Sequence, residues 1–160
     1  MSYLLDANVF IEAKNRYYAF DVVPAFWEWL DDAHAEGLVH SVRKIREELL
    51  DGADELADWV HHREGFFLEP DDAVVESLRQ VTHWALNADP PFAPAARTEF
   101  LSAGDSFLVA HAHAHQRIVV THERYAETVK KIKIPNACAG MGVEYMGPFE
   151  MLRREGARFG

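Results

Sequence analysis

Short apolar runs separated by longer segments of helical periodicity make up almost the whole chain. The short runs predict strands, because they are too apolar to face water on either side. These predicted strands span residues 3–5, 38–41, 66–68, 117–121 and 143–146. The apolar spacing between them predicts helices over residues 24–36, 42–50, 53–63, about 72–87 and 107–115, and one from 148 to near 156. This alternation predicts an α/β fold.

Polar residues mark where several of these helices are expected to begin. Asn8 is predicted to cap a helical turn after the first strand, and Ser41 to cap the helix over 42–50. Either Asp71 or Asp72 is predicted to cap a later helix. Such side chains accept hydrogen bonds from the first free amides of a helix, so each of them also fixes where a helix starts.

Length and composition indicate one domain in the cytoplasm. The 160 residues fit a single domain over 1–160, and the proline-rich segment 89–94 indicates a loop, since too little chain follows for a second domain. No apolar run approaches the about 20 residues of a membrane helix, and no signal peptide is expected. The single cysteine, Cys138, suits a reducing cytoplasm, and no membrane partner is expected.

The formal net charge of −10 bears directly on function. Proteins that bind nucleic acid through phosphate contacts are usually basic, so either the ligand is not nucleic acid or metal ions reverse the charge of the site. One basic group, Lys130, Lys131 and Lys133, is expected to approach the site, and its alternative is a solvated turn. A second group, residues 14–18, either stacks a base and binds phosphate or is an ordinary amphipathic linker.

Carboxylates follow or open the predicted elements. Asp6 ends the first strand, and the pair His122-Glu123 directly follows the strand over 117–121. In an open parallel sheet, ligands bind outside the carboxyl ends of the strands, so both acids are candidates for a site; for Asp6 the alternative is turn chemistry. Asp105 is predicted to head the buried side of a helix, as its N-cap, as a site carboxylate, or as both.

Glu48 is chosen over Glu47 on helical phase. The apolar face of the helix over 42–50 is formed by Val42, Ile45 and Leu49. Glu48 lies about 95° from the centre of that face, whereas Glu47 points nearly opposite.

Four converging carboxylates would raise one another's pKa values or bind a divalent cation, and oxygen ligands suit Mg²⁺ or Mn²⁺ better than Zn²⁺.

Three histidines on one predicted helix are candidate metal ligands. His111 and His115 lie one turn apart, as a zinc pair would, with His113 between them. The glutamate of an HExxH motif is missing, and their face is rotated by about 80–120° from Asp105. The pattern therefore does not favour a zinc site.

Taken together, the four acidic stretches resemble the PIN-domain family of metal-dependent nucleases, which includes the VapC-type toxins. The matching stretches are residues 4–9 (LLDANV), 48–49 (EL), 105–110 (DSFLVA) and 120–123 (VTHE). The resemblance implies a three-layer fold, with helices on both faces of a central parallel sheet, and hydrolysis of RNA by Mg²⁺ or Mn²⁺. It implies Asp6 and Asp105 as principal metal ligands, completed by Glu48 and Glu123. Asn8 and the three lysines are the expected substrate contacts.

The chain departs from the family pattern in three places. Ala7 stands where a hydroxyl residue is frequent, Glu123 replaces a commoner Asp, and the tail over 132–138 lies outside the minimal pattern. Three readings of function stay open: a nuclease, the toxin of a toxin–antitoxin pair with a protein antitoxin as partner, and a non-catalytic PIN-like binding or scaffold module. A homodimer is also left open.

Overall fold

A parallel sheet forms the centre of the protein. The computed structural model describes residues 2–160, and within them the sheet has five strands in the order β3-β2-β1-β4-β5, with every neighbouring pair parallel. The strands are β1 (Tyr3–Leu5), β2 (Val39–Val42), β3 (Phe67–Leu68), β4 (Ile118–Val120) and β5 (Tyr145–Met146). The predicted α/β class with a parallel sheet is confirmed.

Helices connect the strands and cover the sheet. They are α1 (Ala7–Glu12), α2 (Pro24–Ala35), α3 (Arg43–Leu50), α4 (Glu55–His61), α5 (Asp72–Leu86), α6 (Pro94–Ser102), α7 (Gly104–His115), α8 (Ile134–Met141) and α9 (Pro148–Arg154). A π-helical turn follows α1 over Ala13–Tyr17. All residues of β1 and β4 are buried, which requires cover on both faces of the sheet. None of the helices described in residues 2–160 combines the length and the apolar character needed to cross a bilayer.

The predicted helices are confirmed within a few residues at their ends, but α6 and α8 were not predicted. Pro94 and Pro135 stand in the first turns of these two helices, where a missing amide hydrogen costs nothing. From the sequence, the segment ending at Pro94 was predicted to be a loop, and no element was assigned to the segment around Pro135. Whether a proline is compatible with a helix depends on its position in that helix, and both of these prolines stand in the first turn, where they are tolerated.

The strand order creates the place where a ligand site is expected. The chain leaves β1 for β2 on one side, whereas β4 pairs with β1 on the other side, so the connections diverge between β1 and β4. Leu5 pairs with Val120, and the residues that follow these strands therefore lie side by side. Such a switch point opens a crevice beyond the carboxyl ends of the strands.

Aromatic packing under α1 holds the start of that helix against the sheet. Phe10 is fully buried, and its ring lies 6.0 Å from the rings of Trp59 and Phe66 and 6.1 Å from that of Phe67. This cluster fixes α1, and with it the junction between β1 and α1. The side chain at that junction is Asp6.

Two capping predictions were wrong, and one of the two roles left open for Asp105, that of an N-cap, is excluded. Ser41 is buried in β2 and donates its hydroxyl to the Leu5 carbonyl oxygen at 2.6 Å, so it joins β2 to β1 instead of capping α3. Asn8 lies within α1, whose N-cap is Asp6. Asp105 is the second residue of α7 and does not cap it. The prediction for α5 is confirmed, because Asp71 accepts from the Val74 amide at 2.9 Å.

Candidate active site

Asp6 is almost completely enclosed at the carboxyl end of β1. Its amide donates to the Val120 carbonyl at 2.9 Å, which continues the β1–β4 ladder, and the residue is only 3% exposed. One carboxylate oxygen, Oδ1, accepts from the Ala7 amide at 2.7 Å and caps α1. The other, Oδ2, accepts from the Thr121 hydroxyl at 2.8 Å. Both oxygens are therefore oriented by the fold.

Thr121 connects three groups of the site through one hydroxyl. Its oxygen accepts from Asn8 Nδ2 at 3.2 Å and from the Glu123 amide at 3.0 Å. Because these bonds use both lone pairs, the hydroxyl hydrogen must point to Asp6. Asn8 in turn accepts from the His122 amide at 3.1 Å, so its side chain braces the end of β4. From the sequence, Thr121 was predicted to end a strand and lay within the stretch VTHE, but this hydrogen-bonding role was not predicted.

Asp105 lies at the start of α7, close enough to the other acids to feel their charge. Burial raises its pKa to about 7, with further contributions from Glu123 and then Glu48. Burial also raises the pKa of Asp6 to about 8, aided by the charges of Asp105 and Glu123 and opposed by the Thr121 hydrogen bond. The four predicted carboxyls are thus brought to one edge of the sheet.

Glu48 is held by the first amide of α7. The Gly104 amide donates to Glu48 Oε1 at 2.5 Å, and thereby one of the free amides at the helix start finds a partner. Gly104 allows this approach, because a Cβ there would stand 2.8 Å from Ile45 Cγ1. Glu47 instead pairs with Arg43 at 3.6 Å, on the solvent side. Both side chains are exposed, but only Glu48 contacts α7, and its role as a site residue stays a prediction.

Glu123 ties the loop after β4 to the start of α8. Its Oε1 accepts from the Ile134 amide at 3.2 Å. Behind these acids, Cys138 is buried in α8, and burial raises its thiol pKa to about 12, with further contributions from the charges of Asp6 and Glu123. A free thiol with that pKa stays protonated at neutral pH, so it packs as a small apolar group.

The three predicted lysines lie on the loop between β4 and α8, with Lys130 and Lys131 exposed and Lys133 at the N-cap of α8. Lys131 is close enough to Asp105 that its ammonium group partly offsets the rise in the pKa of that carboxyl. Of the three lysines, Lys131 is therefore the one whose charge most affects the pKa of Asp105. Neither Lys130 nor Lys133 is among the groups that most affect the pKa of Asp6 or Asp105.

The histidines of α7 lie apart from the acids. His111 is buried, and burial lowers its pKa to about 4. His113 shares a hydrogen bond of 2.7 Å with Ser77, and His115 lies 2.8 Å from Asp71. The contacts of His113 and His115 thus run toward the N-terminal half of α5.

The donor chemistry of the acidic site fits a hard divalent cation. All four candidate ligands are carboxylates, and the Oε2 atoms of Glu48 and Glu123 accept no hydrogen bond from residues 2–160. Within the same residues, no three Asp, Glu, His or Cys side chains stand close enough together to hold a metal ion as they are oriented. Coordination by all four would therefore require side-chain rotation, for which the two glutamates have the freer oxygens.

The fold and this edge define a class: a parallel α/β protein with an acidic site at its topological switch point. The family model described as "Domain of unknown function (DUF4411)" matches residues 3–159. The chain belongs to the DUF4411 family. No curated protein sequence matches the chain.

Proposed function

We propose that this protein is a metal-dependent endoribonuclease with a PIN-like fold that hydrolyses phosphodiester bonds in RNA. The observation that carries the proposal is the pair Asp6 and Asp105, two carboxyls whose pKa values are raised to about 8 and about 7 at the carboxyl edge of the sheet. Enclosing two acids that repel each other destabilises the folded chain unless a ligand interacts with them. A divalent cation of oxygen preference is the ligand that best offsets this repulsion.

Each residue of the site has a proposed role that follows from its position. Asp6 and Asp105 would hold the cation, and Glu48 and Glu123 would complete its oxygen shell. When bound, Mg²⁺ or Mn²⁺ supplies charge that polarises a scissile phosphate and acidifies water. Thr121 orients the Asp6 carboxyl, and the Gly104 amide orients Glu48. The Oε2 atom of Glu123 is available to accept a hydrogen bond from the attacking water, and Lys131 is placed to meet a phosphate.

The test is incubation of the purified chain with mixed RNA pools, with and without Mn²⁺, followed by mapping of the new ends. We expect cleavage that requires Mn²⁺, is lost in Asp105→Asn and is kept in Glu47→Gln, the solvent-facing neighbour of Glu48. Absence of cleavage, or cleavage that persists in EDTA and in Asp105→Asn, would contradict the proposal. Binding of RNA without cleavage would favour the alternative of a PIN-like binding or scaffold module.

As part of the same proposal, the chain acts in the cytoplasm as the toxin of a toxin–antitoxin pair, with RNA as target and a protein antitoxin as partner. This rests on the resemblance to VapC-type toxins. Induced expression of the parent chain should arrest bacterial growth, whereas Asp6→Asn at equal protein level should not. Equal growth of both strains would contradict the toxin role and leave the nuclease proposal to the RNA assay.

A further inference from the structure

The most exposed aromatic rings of the protein lie together. Within residues 2–160, the Phe, Tyr and Trp side chains of highest exposure are Tyr17, Tyr125, Tyr145 and Phe149, at 41%, 52%, 37% and 37%. All four line one cleft of about 780 Å³, which we call the aromatic cleft. Thr121, His122 and Glu123 line the same cleft, so it opens directly beside the acidic site. Rings scattered at random over a surface would not share one depression.

Three rings of the aromatic cleft form a packed wall. Tyr17 stacks on His122 with centroids 5.7 Å apart and planes 24° apart, and Phe149 meets Tyr17 edge-on at 5.1 Å. His122 and Phe149 also contact each other at 5.9 Å. A ring held on two sides has lost its rotamer freedom already, so a planar ligand that stacks on it has little side-chain entropy to offset.

The backbone near Tyr17 explains why this ring and not its neighbour reaches the aromatic cleft. Tyr17 ends the π-helical turn, which is closed by the Tyr18 amide donating to the Ala13 carbonyl at 2.7 Å. Tyr18 turns inward and stacks on Phe26 at 4.4 Å, and Lys14 pairs with Asp54 at 2.7 Å. Only part of the basic and aromatic group at residues 14–18 therefore faces the cleft. π-Helical turns of this kind occur often at functional sites.

The charges of the cleft decide what class of ligand fits. Arg16 and Arg124 line it, together with Glu12, Glu123 and Glu150. Arg16 pairs with Glu12 at 3.3 Å on the surface, whereas Arg124 forms no ion pair with the residues described at 2–160. Mixed charge and a net charge of −10 do not suit an anionic membrane surface. Exposed rings beside two arginines suit a base with a phosphate on either side.

We infer that the aromatic cleft binds a nucleobase of single-stranded RNA next to the phosphate that meets the acidic site. This inference rests on the proposed function, for which it names the substrate class. Bases of a duplex are stacked inside the helix and cannot reach the rings, whereas a single strand can turn a base outward. Stacking accepts any base, so the cleft selects strandedness more than sequence.

Binding of fluorescent ribo-oligonucleotides, measured by anisotropy in EDTA at low salt, tests the inference without metal or cleavage. Tyr17→Leu should raise Kd about 5- to 150-fold, as should Phe149→Leu, because base–aromatic stacking contributes about 1–3 kcal/mol per base. Tyr17→Phe keeps the ring and should bind within about twofold of the parent. Val75→Ala removes an exposed side chain elsewhere, on α5, and should change nothing.

An oligonucleotide with abasic positions separates stacking from charge. It should bind the parent and Tyr17→Leu equally weakly, because the phosphates remain and the bases are gone. The inference is overturned if Tyr17→Leu loses the same affinity for both oligonucleotides or loses affinity for neither. It is also overturned if the parent does not bind, or if the parent binds duplex RNA with equal affinity.

Cleavage with Mn²⁺ is scored separately from binding. A parent chain that shows the expected stacking dependence but never cuts RNA would contradict the proposed function alone. A chain that cuts RNA while Tyr17→Leu leaves its Kd unchanged would overturn the cleft assignment alone. The two failures are therefore distinguishable.

Discussion

The hydroxyl of Thr121 offers the sharpest test of how the acidic site is held. Valine has nearly the shape of threonine and lacks only the hydroxyl. Thr121→Val removes one donor from Asp6 and leaves Asn8 Nδ2 and the Glu123 amide without their acceptor. The change therefore affects three groups of the site at once, while the packing of the buried β4 end stays the same.

The expected size follows from those three bonds. A hydrogen bond to an ionised Asp6 stabilises by about 1.5–3 kcal/mol, and one to its protonated form by about 1 kcal/mol. Asn8 and Glu123 are half-buried, so each stranded donor costs toward the low end of about 1–3 kcal/mol, because water reaches it. We expect the free energy of unfolding to drop by about 3 kcal/mol, which lowers Tm by roughly 6–12 °C at this chain length.

Urea unfolding and thermal melts in EDTA measure this effect without metal. Thr121→Ser keeps all three bonds and loses one buried methyl group, so it should be destabilised by only about 1 kcal/mol. Thr98→Val is the matched control, because Thr98 is exposed on α6 and bonds only the Pro94 carbonyl, at 3.1 Å. The reasoning is refuted if Thr121→Val unfolds like the parent or if Thr121→Ser is as unstable as Thr121→Val.

Three further predictions concern the acids themselves. Glu48→Gln should slow Mn²⁺-dependent cleavage about 10- to 100-fold, and Glu47→Gln should not; equal initial rates of the two variants would contradict the assignment. In EDTA, the free energy of unfolding should fall as pH rises from about 4 to about 8, because the folded state holds the Asp6 proton more tightly than the unfolded state. Urea titrations should show a shallower fall in Asp6→Asn, and an identical slope would argue against a raised pKa. Mn²⁺ at about 100 times its Kd should raise Tm by roughly 5–10 °C in the parent and not in Asp105→Asn, and thermal melts without a shift would count against a metal site.

Local patterns were enough to predict the frame of the site. The β-branched centre of β4 and the apolar run of β1 identify the two strands that matter most; Asp6 directly follows β1, and Glu123 is the third residue after β4. Helical phase alone separated Glu48, which contacts α7, from Glu47, which pairs with Arg43, although both side chains are exposed. These properties depend on residues a few positions apart, which is the range over which sequence periodicity carries information.

The hydrogen-bond partners of the polar side chains could not be predicted, because they come from residues that are distant in the sequence. Ser41, Asn8 and Asp105 all have residue types that favour helix caps, yet none of them caps a helix here. Strand register instead brings distant residues together. The pairing of Leu5 with Val120, for example, places Thr121 beside Asp6, which is 115 positions earlier in the chain. A cap propensity is therefore a weak guide where a side chain can reach a neighbouring strand.

The way each acid is held explains why the site suits an exchangeable ligand. Asp6 receives two hydrogen bonds, while Glu48 and Glu123 receive one each from the amides of Gly104 and Ile134. These donors orient the carboxyls, but they supply less than full hydration would, and the raised pKa of Asp6 expresses that difference. An arginine at this edge would neutralise the acids permanently, and it would also fill the place of any cation. Among the groups that most affect the pKa of Asp105, Lys131 is the one cation, and it lies at an exposed loop position, so its side chain can move aside or turn to a phosphate. The remaining deficit of positive charge would therefore link the stability of the fold to the binding of the proposed metal, so both are expected to change together with pH.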